Sequence, residues 1–134
     1  MIIEYTCNTL PERQDVFELY QSVGWSSAHK LDELMLALNG AHTLYCAYSE
    51  GRLVGLVKTI SDGYLVVYVS HLLVLPEYQS KGIASELMSK TMKKYQHFHQ
   101  KVLLGDNQAF RFYEKFGFHV ADIKPMWVYV GTDH

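Results

Sequence analysis

Apolar and polar positions along the chain change their spacing several times, and each change marks an element. "MIIEYTC" has strand composition. In "LPERQDVFELYQSVGW", Val16, Phe17, Leu19, Tyr20 and Val23 recur at helical spacing; Pro11 is placed to open a helix and Gly24 ends it. "AHKLDELMLALNG" predicts a second helix, closed by Asn39-Gly40. The run "HTLYCAYSEGRLVGLVKTISDGYLVVYVSHLLVL" supplies three strands, broken at the hairpin turns Glu50-Gly51 and Asp62-Gly63. After Pro76 a helix is predicted over Lys81–Tyr95. Ile83, Ala84, Leu87, Met88, Met92 and Tyr95 form its apolar stripe, with Glu86, Lys90, Lys93 and Lys94 opposite. "KVLLG" is a short strand, "NQAFRFYEKFG" a helix ending at Gly117, and "FHVADIKPMWVYVG" two closing strands.

The order β-α-α-β-β-β-α-β-α-β-β predicts an α/β fold with a central, mostly antiparallel mixed sheet and helices on both faces. One β-α-β crossover interrupts the hairpins, and the strand that enters it is expected to lie centrally. No repeat, low-complexity tract or linker divides the chain, and 134 residues suit one domain, 1–134.

Composition narrows the chemistry. The hydrophobic share is 49% and the charged share 19%, ordinary for a compact protein. A formal net charge of −2 leaves no basic excess to neutralise phosphates, so a nucleic-acid partner is not expected. Lys90, Lys93 and Lys94 are locally cationic but read as one solvated helix face. Cys7 and Cys46 each sit in an apolar run, without metal-like spacing; two buried thiols suit a reducing cytoplasm, and no metal site is expected. "MIIEYTCNTL" has no basic leader before a long apolar stretch, and no segment reaches the ~20 apolar residues of a membrane span. A cytoplasmic protein without a membrane partner is the expectation.

The strand-to-helix turn after "LLVLP" carries the candidate chemistry. A helix N-terminus presents unpaired amides and partial positive charge, and so can hold an anion. The turn lacks the Gly-Lys-Ser/Thr ending of a Walker loop and the three glycines of a dinucleotide fingerprint. What remains is Gln79-Ser80-Lys81-Gly82-Ile83-Ala84, a Q/R-x-x-G-x-G/A pattern. It resembles the phosphate-binding segment of the GNAT superfamily, the Gcn5-related N-acetyltransferases. "AFRFYEKFGF" at Ala109–Phe118 is similar to that family's second signature, A-x-x-x-Y-E-x-x-G-F, and the predicted element order matches the family fold along nearly the whole chain.

The resemblance implies acetyl-CoA as cofactor, coenzyme A as product, and direct attack of an acceptor amine on the acetyl carbonyl. It implies that Gln79 and the amides from Ser80 to Ser85 hold the pyrophosphate, with Gly82 leaving the approach open and Ala84 keeping the next turn narrow. Lys81 is either an added point charge or a solvent-facing lysine. The backbone of Leu72, Leu73 and Val74 would pair with the pantetheine arm, and the Val74 amide would face the thioester oxygen. Tyr113 corresponds to the family tyrosine near the departing sulfur; the alternative is a core tyrosine beside Phe110, Phe112 and Phe116. Asp106 stands where many relatives carry a cofactor-contacting asparagine, with Asn107 next to it, and either could instead cap the following helix.

Proton removal from the acceptor is less legible. Counting by twos, Leu72, Ser70 and Tyr68 share a face with Val74, and none is a convincing base. His71 falls on the other face and reads as structural. Trp25, His29, Trp127 and Tyr129 form a candidate aromatic wall for a small-molecule or peptide amine, with Tyr64 and Tyr68 as further candidates. The alternative makes these aromatics core residues or contacts of a homodimer. A non-catalytic acyl-CoA-binding module is the competing functional reading.

Overall fold

The computed structural model describes residues 1–131. Five strands form one sheet in the order β1-β2-β3-β4-β5: β1 Ile3–Cys7, β2 Thr43–Ser49, β3 Arg52–Ser61, β4 Val66–Val74 and β5 Gln100–Leu103. The first four pair antiparallel, and β5 joins β4 in parallel. Four α-helices connect them: α1 Arg13–Ser22, α2 Leu31–Asn39, α3 Ile83–Lys94 and α4 Phe110–Glu114. The fold is thus the mixed α/β arrangement expected from the element order.

The hairpins form where turn chemistry placed them. Glu50 and Gly51 both adopt positive φ (50° and 80°), the twist a two-residue hairpin needs. At the next turn, Asp62 Oδ1 accepts from the amides of Tyr64, Leu65 and Val66. Cross-strand pairing assigns the two faces of the sheet. Val57 lies opposite Leu72 and Gly55 opposite Val74, on the face where Ile83 of α3 packs. Leu56 lies opposite Leu73 and Lys58 opposite His71, on the face where Tyr20 of α1 reaches His71. The core fills both layers around the fully buried Val54, Leu56 and Val57.

Three expectations change. The two closing strands do not form: no strand is present over 118–131, where the chain bends at Asp122-Ile123. Pro125 has no amide to donate to a ladder, which weakens strand pairing at that point. Without those strands, β4 is interior but fourth of five rather than central. Finally, only Cys46 is buried; Cys7, at the end of the edge strand β1, is exposed.

Candidate active site

A gap opens beside β4 because β5 is short. β5 pairs only with Val66–Val69, so Ser70 to Val74 have no strand on that side. The Leu75 amide donates to Val54 O at 2.8 Å. By alternation, the main-chain groups of Val74 and Leu72 point away from β3 into the gap, while those of Leu73 turn to β3. Gln79 Nε2 donates to Val74 O at 3.0 Å, which ties the following loop to the strand end.

That loop is a concave run of amides. After a 3-10 turn at Pro76–Tyr78, Gln79 is extended, Ser80 has φ 62° and Gly82 has φ 86°, and α3 begins at Ile83. Left-handed residues so close together turn successive amides toward one side, a shape suited to anions. A Cβ built on Gly82 would meet nothing within 4 Å, so the approach there is open. Gly55 lets the layers close beneath the loop: its ideal Cβ would lie 3.1 Å from Leu73 O and 3.4 Å from Ile83.

The gap and the loop form the walls of one cleft of about 600 Å³. Leu72, Leu73, Val74, Gln79, Ser80, Gly82, Ile83, Ala84 and Ser85 line it, joined by Val23, Trp25 and Tyr78. Lys81 is exposed and is not part of the wall. Phe112 on α4 and Lys115, the residue that follows α4, close the far side, with Lys115 Nζ 5.2 Å from the Phe112 ring centre. Neither was singled out from the sequence, although their i, i+3 spacing puts them on one face. The lining contains no carboxylate and one cation, so its donor set fits a pyrophosphate.

Tyr113 is half-buried beside this wall rather than in it. Its ring packs on Phe112 and Phe118, and a Cβ on Gly105 would lie 3.3 Å from it. Burial, and secondarily the charge of Asp106, push its phenol pKa up. It therefore stays protonated at neutral pH and has a proton to donate in a hydrogen bond. Asp106 makes no side-chain cap, and Asn107 lies inside the short 3-10 turn that precedes α4; both are exposed.

On the opposite face, a register shift corrects the count by twos. Lys58 pairs with His71 but Thr59 pairs with Val69, which leaves Ser70 as an extra residue. Tyr68, opposite Ile60, and His71, opposite Lys58, therefore share the α1 face, whereas Leu72 and Val74 share the α3 face. The Tyr20 hydroxyl lies 2.8 Å from His71 Nδ1. Burial holds the Tyr20 pKa well above its ordinary value, so the phenol keeps its proton, and the two groups share one hydrogen bond whose direction the imidazole tautomer sets. Tyr20, Trp25 and His71 form a triangle of edge-packed rings with centroids 5.3–5.8 Å apart.

The candidate aromatic residues are distributed over several places. Trp25 lines the main cleft, but His29 belongs to a separate hollow of about 310 Å³ with Arg13 and Phe17. Trp127 is 65% exposed and packs on Tyr129; Tyr64 is exposed, and Tyr68 is half-buried outside the cleft. These residues lie on different elements, and no local pattern requires them to converge.

The family model described as "Acetyltransferase (GNAT) domain" matches residues 12–125. The chain belongs to the GNAT acetyltransferase family. A GNAT-family acetyltransferase from Streptococcus pneumoniae is similar in structure, with a TM-score of 0.84 and 29% identity over 98% of this chain and 100% of that one. A probable acetyltransferase from methicillin-resistant Staphylococcus aureus gives a TM-score of 0.82 at 24% identity, over 96% and 100% of the two chains. A ribosomal-protein-alanine N-acetyltransferase from Brucella melitensis shares the fold, with a TM-score of 0.73 and 19% identity over 96% and 100%. Comparison with curated protein sequences gave no match. In this GNAT domain, the first signature forms the loop over α3 and the second forms α4, so the two motifs face each other across the cleft. No helix among the described residues is long and apolar enough to cross a membrane.

Proposed function

We propose that this GNAT domain transfers an acetyl group from acetyl-CoA to a primary amine of a small molecule or peptide. The observation that carries the reading is the half-paired β4, which ends in a carboxylate-free cradle of amides. Acetyl-CoA, when bound, supplies a thioester carbonyl open to attack by an amine. The amides from Ser80 to Ser85 and the start of α3 hold the diphosphate through the helix dipole and unpaired N–H groups. The Leu72 and Val74 main chains act as a strand edge for the pantetheine arm. The Val74 amide, turned into the gap by alternation, is the fixed donor for the thioester oxygen, and a donor held in place contributes most where charge develops. Tyr113, protonated and with no protein partner for its hydroxyl among the described residues, is the donor for the departing sulfur. The product thiol itself is the stronger acid by roughly 1.5 pKa units, so the phenol donates a hydrogen bond rather than a proton.

A lysine-like amine of pKa ~10.4 costs about 4.6 kcal/mol to deprotonate at neutral pH. His71 Nδ1 is engaged by the Tyr20 hydroxyl, and His71 does not line the cleft. We assign deprotonation to solvent, with the amine entering neutral. Calorimetry with acetyl-CoA and thiol release with a panel of primary amines test the reading. We expect binding that Gly82→Val weakens about five- to thirtyfold, since a left-handed non-glycine costs about 1–2 kcal/mol. Absence of binding would overturn the reading. Tight binding without turnover on any amine would instead favour an acyl-CoA sensor, a reading that a cleft lining free of carboxylate and histidine also supports.

A further inference from the structure

Trp25 stands in the connection between α1 and α2, yet it is fastened like a core residue. α1 ends in a Schellman turn: the amide of Gly24, which has φ 75°, donates to Gln21 O at 3.0 Å, and the Trp25 amide donates to Tyr20 O at 3.2 Å. The turn brings the indole back onto Tyr20, with ring centroids 5.8 Å apart and planes at 73°. His71 supports it from β4, at 5.3 Å and 66°. Edge-to-face pairs of this kind stabilise beyond the area they bury. Tyr20 is fully buried and its hydroxyl lies 2.8 Å from His71 Nδ1, so the two supports of the indole are tied to each other.

The place of this ring in the cleft follows from the order of residues along β4. The cleft is lined by Leu72 and Val74 from the α3 face and by Leu73 from the α1 face, so it passes through the sheet at the gap. The amide cradle lies at the Val74 end, where Gln79 is bonded to Val74 O. Back along the strand, Val74 leads to Leu72 and then to His71, behind the indole. At about 3.3 Å per residue, His71 lies roughly 10 Å along the strand from Val74. Trp25, with Val23 beside it in the lining, therefore closes the end of the cleft away from the cradle.

We infer that Trp25 sets the length of the acyl group that the donor can carry: acetyl is accommodated, and a straight chain several carbons longer meets the indole. The inference rests on the acetyl-CoA reading. A donor whose diphosphate lies in the cradle and whose pantetheine arm follows Leu72 to Val74 directs its acyl chain away from the cradle, toward Trp25. A main-chain turn and two ring contacts fix the indole, so a longer chain cannot displace it without breaking them. Overfilling a packed site is unfavourable for that reason.

Calorimetry with acetyl-CoA and hexanoyl-CoA, on the wild type and on Trp25→Ala, tests the inference. The wild type should bind hexanoyl-CoA at least about fivefold more weakly than acetyl-CoA. In Trp25→Ala the hexanoyl-to-acetyl affinity ratio should rise at least about tenfold, since each methylene that gains apolar cover tightens binding about fourfold. The ratio cancels any general loss of affinity caused by truncation, and Trp25→Leu, which retains a larger side chain, should give an intermediate ratio. A wild type that binds both donors equally overturns the inference without recourse to a variant. A smaller rise in Trp25→Ala also overturns it, including the case in which only the KM of the amine increases, which would place Trp25 in the acceptor site. Binding of neither donor by the wild type would remove the acetyl-CoA reading and the inference together, whereas acetyl-CoA binding without discrimination removes the inference alone.

Discussion

Tyr113 and Lys58 illustrate how burial decides what a side chain can do. Tyr113 is held protonated by desolvation and by Asp106, which makes it a donor at every physiological pH. Tyr113→Phe should lower kcat on the order of 10²-fold, the scale for one fixed donor, while leaving the calorimetric affinity for acetyl-CoA unchanged. Equal losses in both would make it a packing residue. Lys58 is 6% exposed, with no ion-pair partner among the described residues, and burial pushes its pKa below the ordinary 10.5. The folded chain therefore binds this proton less readily than the unfolded chain. The resulting penalty is complete below the folded pKa and fades as pH rises toward 10.5. Lys58→Met should raise Tm by a few degrees at neutral pH, with the gain shrinking in alkaline buffer; a pH-independent change would contradict this origin.

Among the elements, α3 shows the strongest anchoring. The Tyr95 hydroxyl, directly after its last turn, lies 2.6 Å from His42 Nδ1, 2.6 Å from Thr43 Oγ1 and 2.9 Å from Thr59 Oγ1. Thr43, Thr59 and Tyr95 are at most 1% exposed. Tyr95→Phe keeps the ring but orphans these partners, at a cost of roughly 2–4 kcal/mol. Thermal denaturation should show Tm lower by about 10 °C; a loss below 2 °C would mean the network contributes little. The elements legible in the sequence were those whose cause is local. Glu50-Gly51 and Asp62-Gly63 announce their turns through backbone chemistry, and the α3 stripe announces its buried side. Ser70 does not announce the extra residue that returns His71 to the face of Tyr68, because that shift arises in pairing with β3. The final segment has strand composition, yet composition alone does not say which edge receives it.

At the scale of the whole molecule, the candidate site is a product of unequal strand lengths. The sequence located the loop and α4 through two signatures, but not Phe112 and Lys115 as its far wall, and it grouped Trp25 with His29, which lines a separate hollow. Convergence of distant segments follows from packing, which no single stretch encodes. With His71 outside the lining of the cleft, the pH profile should report the acceptor alone. We expect kcat/KM to rise about tenfold per pH unit up to the pKa of the amine used, and to move with that pKa across a series of amines. A fixed inflection near pH 6.5 for every amine would instead reveal a protein base.

The anchoring of α3 at both ends has a mechanical result. Gly55 seats its first turn against two strands, and three hydroxyl-mediated contacts lock its last. A helix fastened in this way is a strut and not a lid. An incoming ligand meets a floor that is already set, so little of its affinity is lost to reshaping the protein.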